Sequence, residues 1–151
     1  MEIRKQIKQV NTVLSNTLDL YRIWAKNHGL NYNSLLILYT LDDYGTCTQK
    51  QICEWWALPK QTVHGILSEF EKKGYITITL NEENKRERLI SFTDSGIELA
   101  KCVLEPLYKI EEKTMEKLGE IQRNNLITSN MAYYKLLREE IENGSCIGKK
   151  I

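Results

Sequence analysis

Between Lys60 and Lys73 the string KQTVHGILSEFEKK puts two unlike faces on one helical segment. Val63, Ile66, Leu67 and Phe70 recur at steps of three and four and form an apolar stripe. Lys60, Gln61, Thr62, His64, Gly65 and Ser68 fall on the other side, small, polar and hydrogen-bonding, with almost no charge beyond Lys60. Glutamine can pair bidentately with adenine, and threonine can hydrogen-bond a base edge or touch a thymine methyl. That chemistry is base-edge readout; the plainer alternative is a solvated helix face. A second chemical group is Lys85, Arg86 and Arg88, interleaved with Glu87. Arginine suits phosphate or a narrow A·T minor groove. The plainer alternative there is a salt-bridged hairpin edge, blunted against aggregation.

The elements around these residues follow from local patterns. Thr48-Gln-Lys-Gln51 has the form of a capping box, a hydroxyl followed three residues later by an amide. It opens a short helix that carries Ile52, Cys53 and Trp56 inward and breaks at Leu58-Pro59. Proline is tolerated in a first helical turn, so the next helix starts there and closes at Gly74. Two such helices joined by a short break make a helix-turn-helix. From Tyr75 to Leu80 the period changes to two with β-branched residues, which predicts a strand. Asn81–Asn84 predicts a turn and Arg86–Phe92 the returning strand, after which Thr93 caps a helix. A helix-turn-helix followed by a β-hairpin is a winged helix, with the hairpin as wing. Upstream, Asn31 is placed as an N-cap, Leu35, Leu38 and Leu41 mark a helix, and Gly45 suits a left-handed C-cap.

Long helices flank this core. In the first, Ile3, Ile7, Val10, Leu14, Thr17, Tyr21, Trp24 and His28 alternate steps of four and three, and Val13, Leu18, Leu20 and Ile23 widen the stripe. That much apolar surface asks for a second subunit rather than for one small chain alone. Two more helices run from Asp94 to about Leu118, with Ile97, Ala100, Leu104, Leu107 and Leu118 on one side, and from about Gln122 to Asn143, with Ile127, Tyr134, Leu137 and Ile141; Gly119 breaks them. The predicted fold is mainly α with a small β-hairpin wing. A single domain spans 1–143, with a winged-helix core at about 31–93, dimerisation helices at about 1–28 and 94–143, and a frayed tail at 144–151.

Composition removes several classes. The chain has 151 residues with 42% hydrophobic and 27% charged, the balance of a globular domain. No apolar run approaches the roughly 18–20 residues of a membrane span. Cys47, Cys53, Cys102 and Cys146 follow no signal peptide and have no zinc spacing, so reduced thiols in a cytoplasmic protein are expected. Cys53 falls on a core face, while Cys47, in a turn, and Cys146, in the tail, are expected to be exposed. Two histidines and scattered acids offer no metal set. No GxSxG, Walker, GxGxxG or HExxH string is present, so neither catalysis nor a cofactor is expected.

The order of elements and three strings resemble the MarR family of bacterial transcription regulators. The strings are Thr48-Gln-Lys-Gln-Ile-Cys-Glu54, Lys60-Gln-Thr-Val63 with Glu69-Phe-Glu-Lys-Lys-Gly-Tyr-Ile76, and Leu89-Ile-Ser-Phe-Thr-Asp-Ser-Gly96. The resemblance covers roughly Ile3 to Ile141. It implies a homodimer whose first and last helices interlock and whose two winged helices meet a near-palindromic duplex. It also implies, for many members, a small aromatic ligand between the dimerisation and DNA-binding parts; others sense oxidants or metals. The family's thiol sensors carry a cysteine early in the first helix, and this chain has none before Cys47. Where the family wing has Asp-x-Arg, this chain reads Asn84-Lys85-Arg86, keeping the arginine but replacing the acid by an amide. Where a basic residue is often found in the second helix, this chain has Gly65, at a cost of about 1 kcal/mol of helix propensity relative to alanine.

The expected function is therefore a sequence-specific DNA-binding regulator, a repressor released by a small ligand. Its DNA-facing residues are Lys60, Gln61, Thr62, His64, Ser68, Lys85, Arg86 and Arg88. Tyr21, Trp24, His28 and Trp55 are the expected aromatic lining of an effector cleft, with core or dimer packing as the plainer alternative. From Cys47 to Phe92 seven basic and six acidic residues leave a net +1, a weak footprint for a phosphate binder. That weakness and Gly65 leave open a second class, a winged helix used for protein–protein contact.

Overall fold

The structure, a computed structural model, describes residues 2–145. Their elements run α1 (Glu2–Asn27), α2 (Tyr32–Tyr44), β1 (Thr46–Thr48), α3 (Gln49–Trp56), α4 (Lys60–Lys72), β2 (Ile76–Leu80), β3 (Arg88–Phe92), α5 (Asp94–Leu118) and α6 (Glu120–Ser145). By compactness the chain divides into Met1–Pro106 and Leu107–Ile151.

In the first unit α2 is the central helix. Asn31 is extended and its side chain accepts from the Ser34 N–H at 2.9 Å, as a cap should. Gly45, at φ +69°, closes the helix with an N–H bond to the Leu41 carbonyl. Between these ends Ser34 to Leu38, Thr40 and Leu41 are all buried, so α2 is covered on nearly every side. Around it the core gathers Ala25, Cys47, Ile52, Val63, Leu67, Phe70, Ile76, Ile90, Ala100, Val103 and Leu104. The buried Thr40 hydroxyl donates to the Leu36 carbonyl and accepts the Trp56 indole N–H at 2.6 Å. Trp56 is thus tied inward at its nitrogen, yet it is 38% exposed, and Cys53 is only half-buried. The sequence pattern places both on the core face, but only Ile52 of that helix is fully covered.

The sheet has three strands, in the order β1-β3-β2, both pairings antiparallel. The hairpin register sets Ile76 opposite Phe92 and Leu80 opposite Arg88. The sequence pattern does not predict the third strand, β1, whose three residues pair Thr46, Cys47 and Thr48 with Ser91, Ile90 and Leu89. This corrects the placing of Cys47 in an exposed turn. It is 1% exposed, opposite the equally buried Ile90.

The hairpin base is fastened to α5. Thr93 donates its hydroxyl to the Gly74 carbonyl and its N–H to the Tyr75 carbonyl, and its Oγ1 accepts from the Gly96 N–H at 3.1 Å. Gly96 is buried so tightly there that a Cβ would stand 1.9 Å from the Tyr75 carbonyl oxygen. The far end of α1 joins α5 through the Trp24 indole N–H, which donates to the Val103 carbonyl at 3.1 Å. Along the rest of α1, Ile3, Ile7, Val10, Val13, Leu14, Leu18, Leu20 and Ile23 are exposed.

In the second unit Gly119, at φ +78°, separates α5 from α6, and Arg123 Nη1 reaches back to the Met115 carbonyl at 2.9 Å. The last helix starts at Glu120, two residues before the expected Gln122, and runs through Ser145, into the segment expected to be frayed. The remainder of that tail, with Cys146, lies outside the described residues. Ile127, Tyr134, Leu137 and Ile141 are all exposed, as are Ile97 and Leu118 of α5. None of these six apolar side chains is covered within the single chain, although each lies on the stripe assigned to it.

Candidate nucleic-acid interface

The start of α3 is fixed by Thr48 and Gln51 acting on each other. The Thr48 hydroxyl accepts from the Gln51 N–H at 3.2 Å, and the Gln51 side chain accepts from the Thr48 N–H at 2.9 Å. Such a box satisfies two donors that a helix start leaves open. Ala57 ends α3 in the left-handed region, at φ 50° and ψ 40°. For a residue with a Cβ that conformation costs about 1–2 kcal/mol. It lets the Ala57 and Leu58 N–H groups both reach the Cys53 carbonyl and turns the chain sharply toward α4. A side-chain tie completes the turn: Gln49 Nε2 donates to the Lys60 carbonyl at 3.0 Å, linking the first turns of the two helices.

Pro59 stands at the N-cap of α4 and offers no side-chain cap. The first intrahelical bond runs from Val63 N–H to the Pro59 carbonyl, so the N–H groups of Lys60, Gln61 and Thr62 have no intrahelical acceptor. A helix start of this kind favours anions, and Lys60 adds a full positive charge to it. Farther along, Val63, Ile66, Leu67 and Phe70 are buried, as their spacing requires. Lys60, Gln61, His64, Gly65 and Ser68 are exposed and Thr62 is half-buried. The helix therefore presents one uncharged, hydrogen-bonding strip behind a cationic start. Ser68 spends its proton on its own helix, donating to the His64 carbonyl at 2.9 Å, and keeps its oxygen lone pairs for an outside donor. At the other end Lys73 and Glu69 pair at 2.6 Å, which raises the Lys73 pKa through that hydrogen bond and the carboxylate charge. This is an exposed pair, of little weight for stability.

The wing loop, residues 81–87, is organised by its asparagines. Asn81 Oδ1 accepts from the Glu83 N–H at 3.0 Å, and Asn84 Oδ1 accepts from the Arg86 N–H at 3.2 Å. Both are Asx turns, in which a short side chain stands in for backbone. Asn81 and Glu87 close the loop through a 3.0 Å backbone bond. Lys85, Arg86 and Arg88 are exposed, and none forms an ion pair with any described residue. The salt-bridged hairpin edge is thus not what the wing shows.

The aromatic residues fall into two pairs. Trp24 lies against His28, ring centroids 4.7 Å apart, and His28 Nδ1 meets the Trp24 carbonyl at 2.8 Å. Tyr21, half-buried, lies one turn earlier on the same helix. Trp55 stacks on Tyr44 at the end of α2, at 4.3 Å. The sequence singled out Trp55 but not its partner. An open depression of about 520 Å³ between α1 and α2 is lined by Arg22, Lys26, Leu30, Asn31, Tyr32 and Asn33. In it the Arg22 guanidinium sits 5.9 Å from the Tyr32 ring centroid, and burial holds the Tyr32 phenol above its usual range despite that charge. Of these lining residues the sequence marks only Asn31, and that as a helix cap; the signal for the others is the pairing of two cations with a tyrosine beside that cap.

Among the described residues no cluster of His, Cys, Asp and Glu fits a metal ion, and no helix is long and apolar enough to cross a membrane. Cys47 is buried on β1, and that burial pushes its thiol up to about 11. Cys102 is exposed on α5.

The sequence profile of the MarR family matches residues 28–87, from the end of α1 to the end of the wing loop. The chain is 26% identical over 117 residues to the HTH-type transcriptional regulator SarZ of Staphylococcus epidermidis, covering 73% of this chain and 78% of that one. It is similar to the solved structure of a MarR family regulator from Neisseria meningitidis, at 30% identity and a TM-score of 0.82, over 92% of this chain and 98% of that one. Its fold also matches Staphylococcus aureus MarR in complex with salicylate and kanamycin, at 22% identity and a TM-score of 0.71, over 93% and 95% of the two chains.

Proposed function

The chain belongs to the MarR family of transcription regulators, and from that premise we propose that it is a homodimeric repressor that binds a pseudo-palindromic DNA site and leaves it when a small ligand binds. The observation that carries the DNA part is the exposed strip of α4. Lys60 and the open N–H groups at the helix start take a phosphate, Gln61 and Thr62 read base edges, and His64 and Ser68 complete the contact. The unpaired Lys85, Arg86 and Arg88 bring the wing to the backbone or the minor groove.

The dimer is supported by Ile3, Ile7, Val10, Leu14 and Leu18 of α1 and by Ile127, Leu137 and Ile141 of α6, all exposed in the single chain. Exposed apolar surface on this scale marks an interface. Two-fold symmetry then demands two half-sites related by the same axis. Dimerisation also doubles the small positive charge of the DNA-binding part. The effector is a small aromatic molecule, held by Tyr21, Trp24 and His28 near the end of α1, with Trp55 and Tyr44 as a second aromatic surface. Arg22 and Lys26 beside Tyr32 favour an aromatic acid. The protein works in the cytoplasm, with its thiols reduced.

Selection of bound sequences from random duplexes tests the function class. An inverted repeat should emerge, and affinity for it should fall roughly 10³-fold or more between 50 and 200 mM salt if about 6–10 phosphates are contacted. The net +1 across residues 47–92 favours the competing class, a winged helix docking on protein. Selection of no sequence, with binding indifferent to salt, would overturn the DNA-binding reading and leave that class standing.

A further inference from the structure

A glycine in the middle of an exposed helix needs a reason, because only proline is a poorer helix former. The other described glycines have one. Four take positive φ, Gly96 is packed against the Tyr75 carbonyl, and Gly144 lies in the last turn of α6. Gly65 has none of these. Its φ is not positive, it stands in the centre of α4, and an added Cβ would meet nothing within 4 Å. Nothing inside the chain excludes a side chain there.

Gly65 lies on the exposed strip, with Gln61 four residues before it and Ser68 three after. Residues at these spacings are neighbours on a helix surface. Ser68 folds its hydroxyl back onto the His64 carbonyl and so stays low. With no Cβ at Gly65 and nothing within 4 Å of where one would stand, the strip is bare there down to the Cα, a shallow notch whose floor is backbone. In a helix interior the Gly65 N–H donates to the Gln61 carbonyl and the Gly65 carbonyl accepts from the Glu69 N–H, so that floor offers no free donor and no unbonded acceptor. A base edge that needs a hydrogen bond gains nothing there. A thymine does, because its C5-methyl is the one apolar group that the major groove presents.

Resting on the DNA-binding reading above, we propose that Gly65 is a specificity-determining residue that lets the α4 backbone close on the 5-methyl group of one thymine in each half-site.

The test uses the full-length protein, its selected duplex, and copies in which each thymine of the half-site is replaced in turn by uracil, which lacks only the methyl. For the wild type, one uracil position should weaken binding about fourfold, the worth of one buried methyl. Gly65→Ala should raise the Tm by about 2–4 °C through better helix propensity. It should nonetheless bind the thymine duplex about tenfold more weakly and recover most of that loss on the one uracil duplex. Gly65→Ser should weaken binding further and recover less. Equal affinity of Gly65→Ala and wild type for the thymine duplex would overturn the proposal, as would an equal loss on the thymine duplex and every uracil duplex. If the wild type selects no duplex at all, the DNA-binding reading falls and the notch falls with it; in every other outcome that reading stands independently.

Discussion

Asn84 holds the main chain of Arg86 and leaves its charge alone. Its Oδ1 accepts the Arg86 N–H at 3.2 Å, while the Arg86 guanidinium has no partner among the described residues. A carboxylate at position 84 would accept the same N–H and also attract the guanidinium. The amide keeps the turn and leaves the guanidinium without an ion pair to any described residue.

Arg86→Ala is expected to weaken DNA binding and to lower the salt slope by about 1 per lost phosphate contact. Fold and Tm should be unchanged, since the side chain is exposed. Titrations at several salt concentrations check this. A loss confined to duplexes with A·T-rich flanks would assign Arg86 to the minor groove, and no loss on any duplex would remove the wing from the interface.

Gln61→Ala is expected to cost about 1–3 kcal/mol at particular base pairs and to relax the preference there. Thr62→Ala should do the same, with a small stability loss because Thr62 is half-buried. Binding to a panel of single-base operator variants measures both. A uniform loss across the panel would move these side chains to a phosphate role.

Gly96→Ala should be among the most damaging single changes in the chain. The new methyl would stand 1.9 Å from the Tyr75 carbonyl oxygen and 2.9 Å from the Phe92 ring. Backbone must shift to relieve the first contact, at a cost of about 1–3 kcal/mol or more. Urea denaturation should show a lower midpoint, and a midpoint equal to wild type would refute the tight seam.

Cys47 makes a pH prediction. Its thiol is raised from 9.0 to about 11 in the folded chain by burial. The unfolded chain therefore loses this proton first as pH rises. The stabilising contribution is whole below about pH 9 and is lost as pH climbs toward 11. Cys47→Ala should be less stable at neutral pH, because it leaves a small cavity, and should show a shallower decline between pH 9 and 11. In the native protein a thiol reagent at pH 8 should modify the exposed Cys102 and spare Cys47. Rapid labelling of Cys47 would contradict its place on β1.

Much of this was legible in the sequence because it is local. The buried stripe and exposed strip of α4 follow from a 3.6-residue period, and the Asn31 cap and the Thr48–Gln51 box are written in residues three apart. What the sequence hid is non-local. Three residues are too few to show the period of two, so β1 exists only because Cys47 meets Ile90 across some forty positions of chain. The Gln49–Lys60 tie needs the left-handed turn at Ala57, a residue with no turn signature of its own. Trp55 looked like part of an aromatic group at the end of α1, but its ring partner is Tyr44, which packing between α2 and α3 supplies.

The seam at Gly96 has a mechanical consequence. A single carbonyl, that of Tyr75, accepts the Thr93 N–H and presses on Gly96, so the wing root and the first turn of α5 share one pivot without a flexible link. Each wing strand has five residues, an arm of about 17 Å. A turn of roughly 10° at the pivot swings the end of that arm by about 3 Å, the length of a hydrogen bond. The close contact that makes Gly96 intolerant of a methyl leaves no slack at the seam, so any rotation of the first turn of α5 would carry the hairpin with it as a lever.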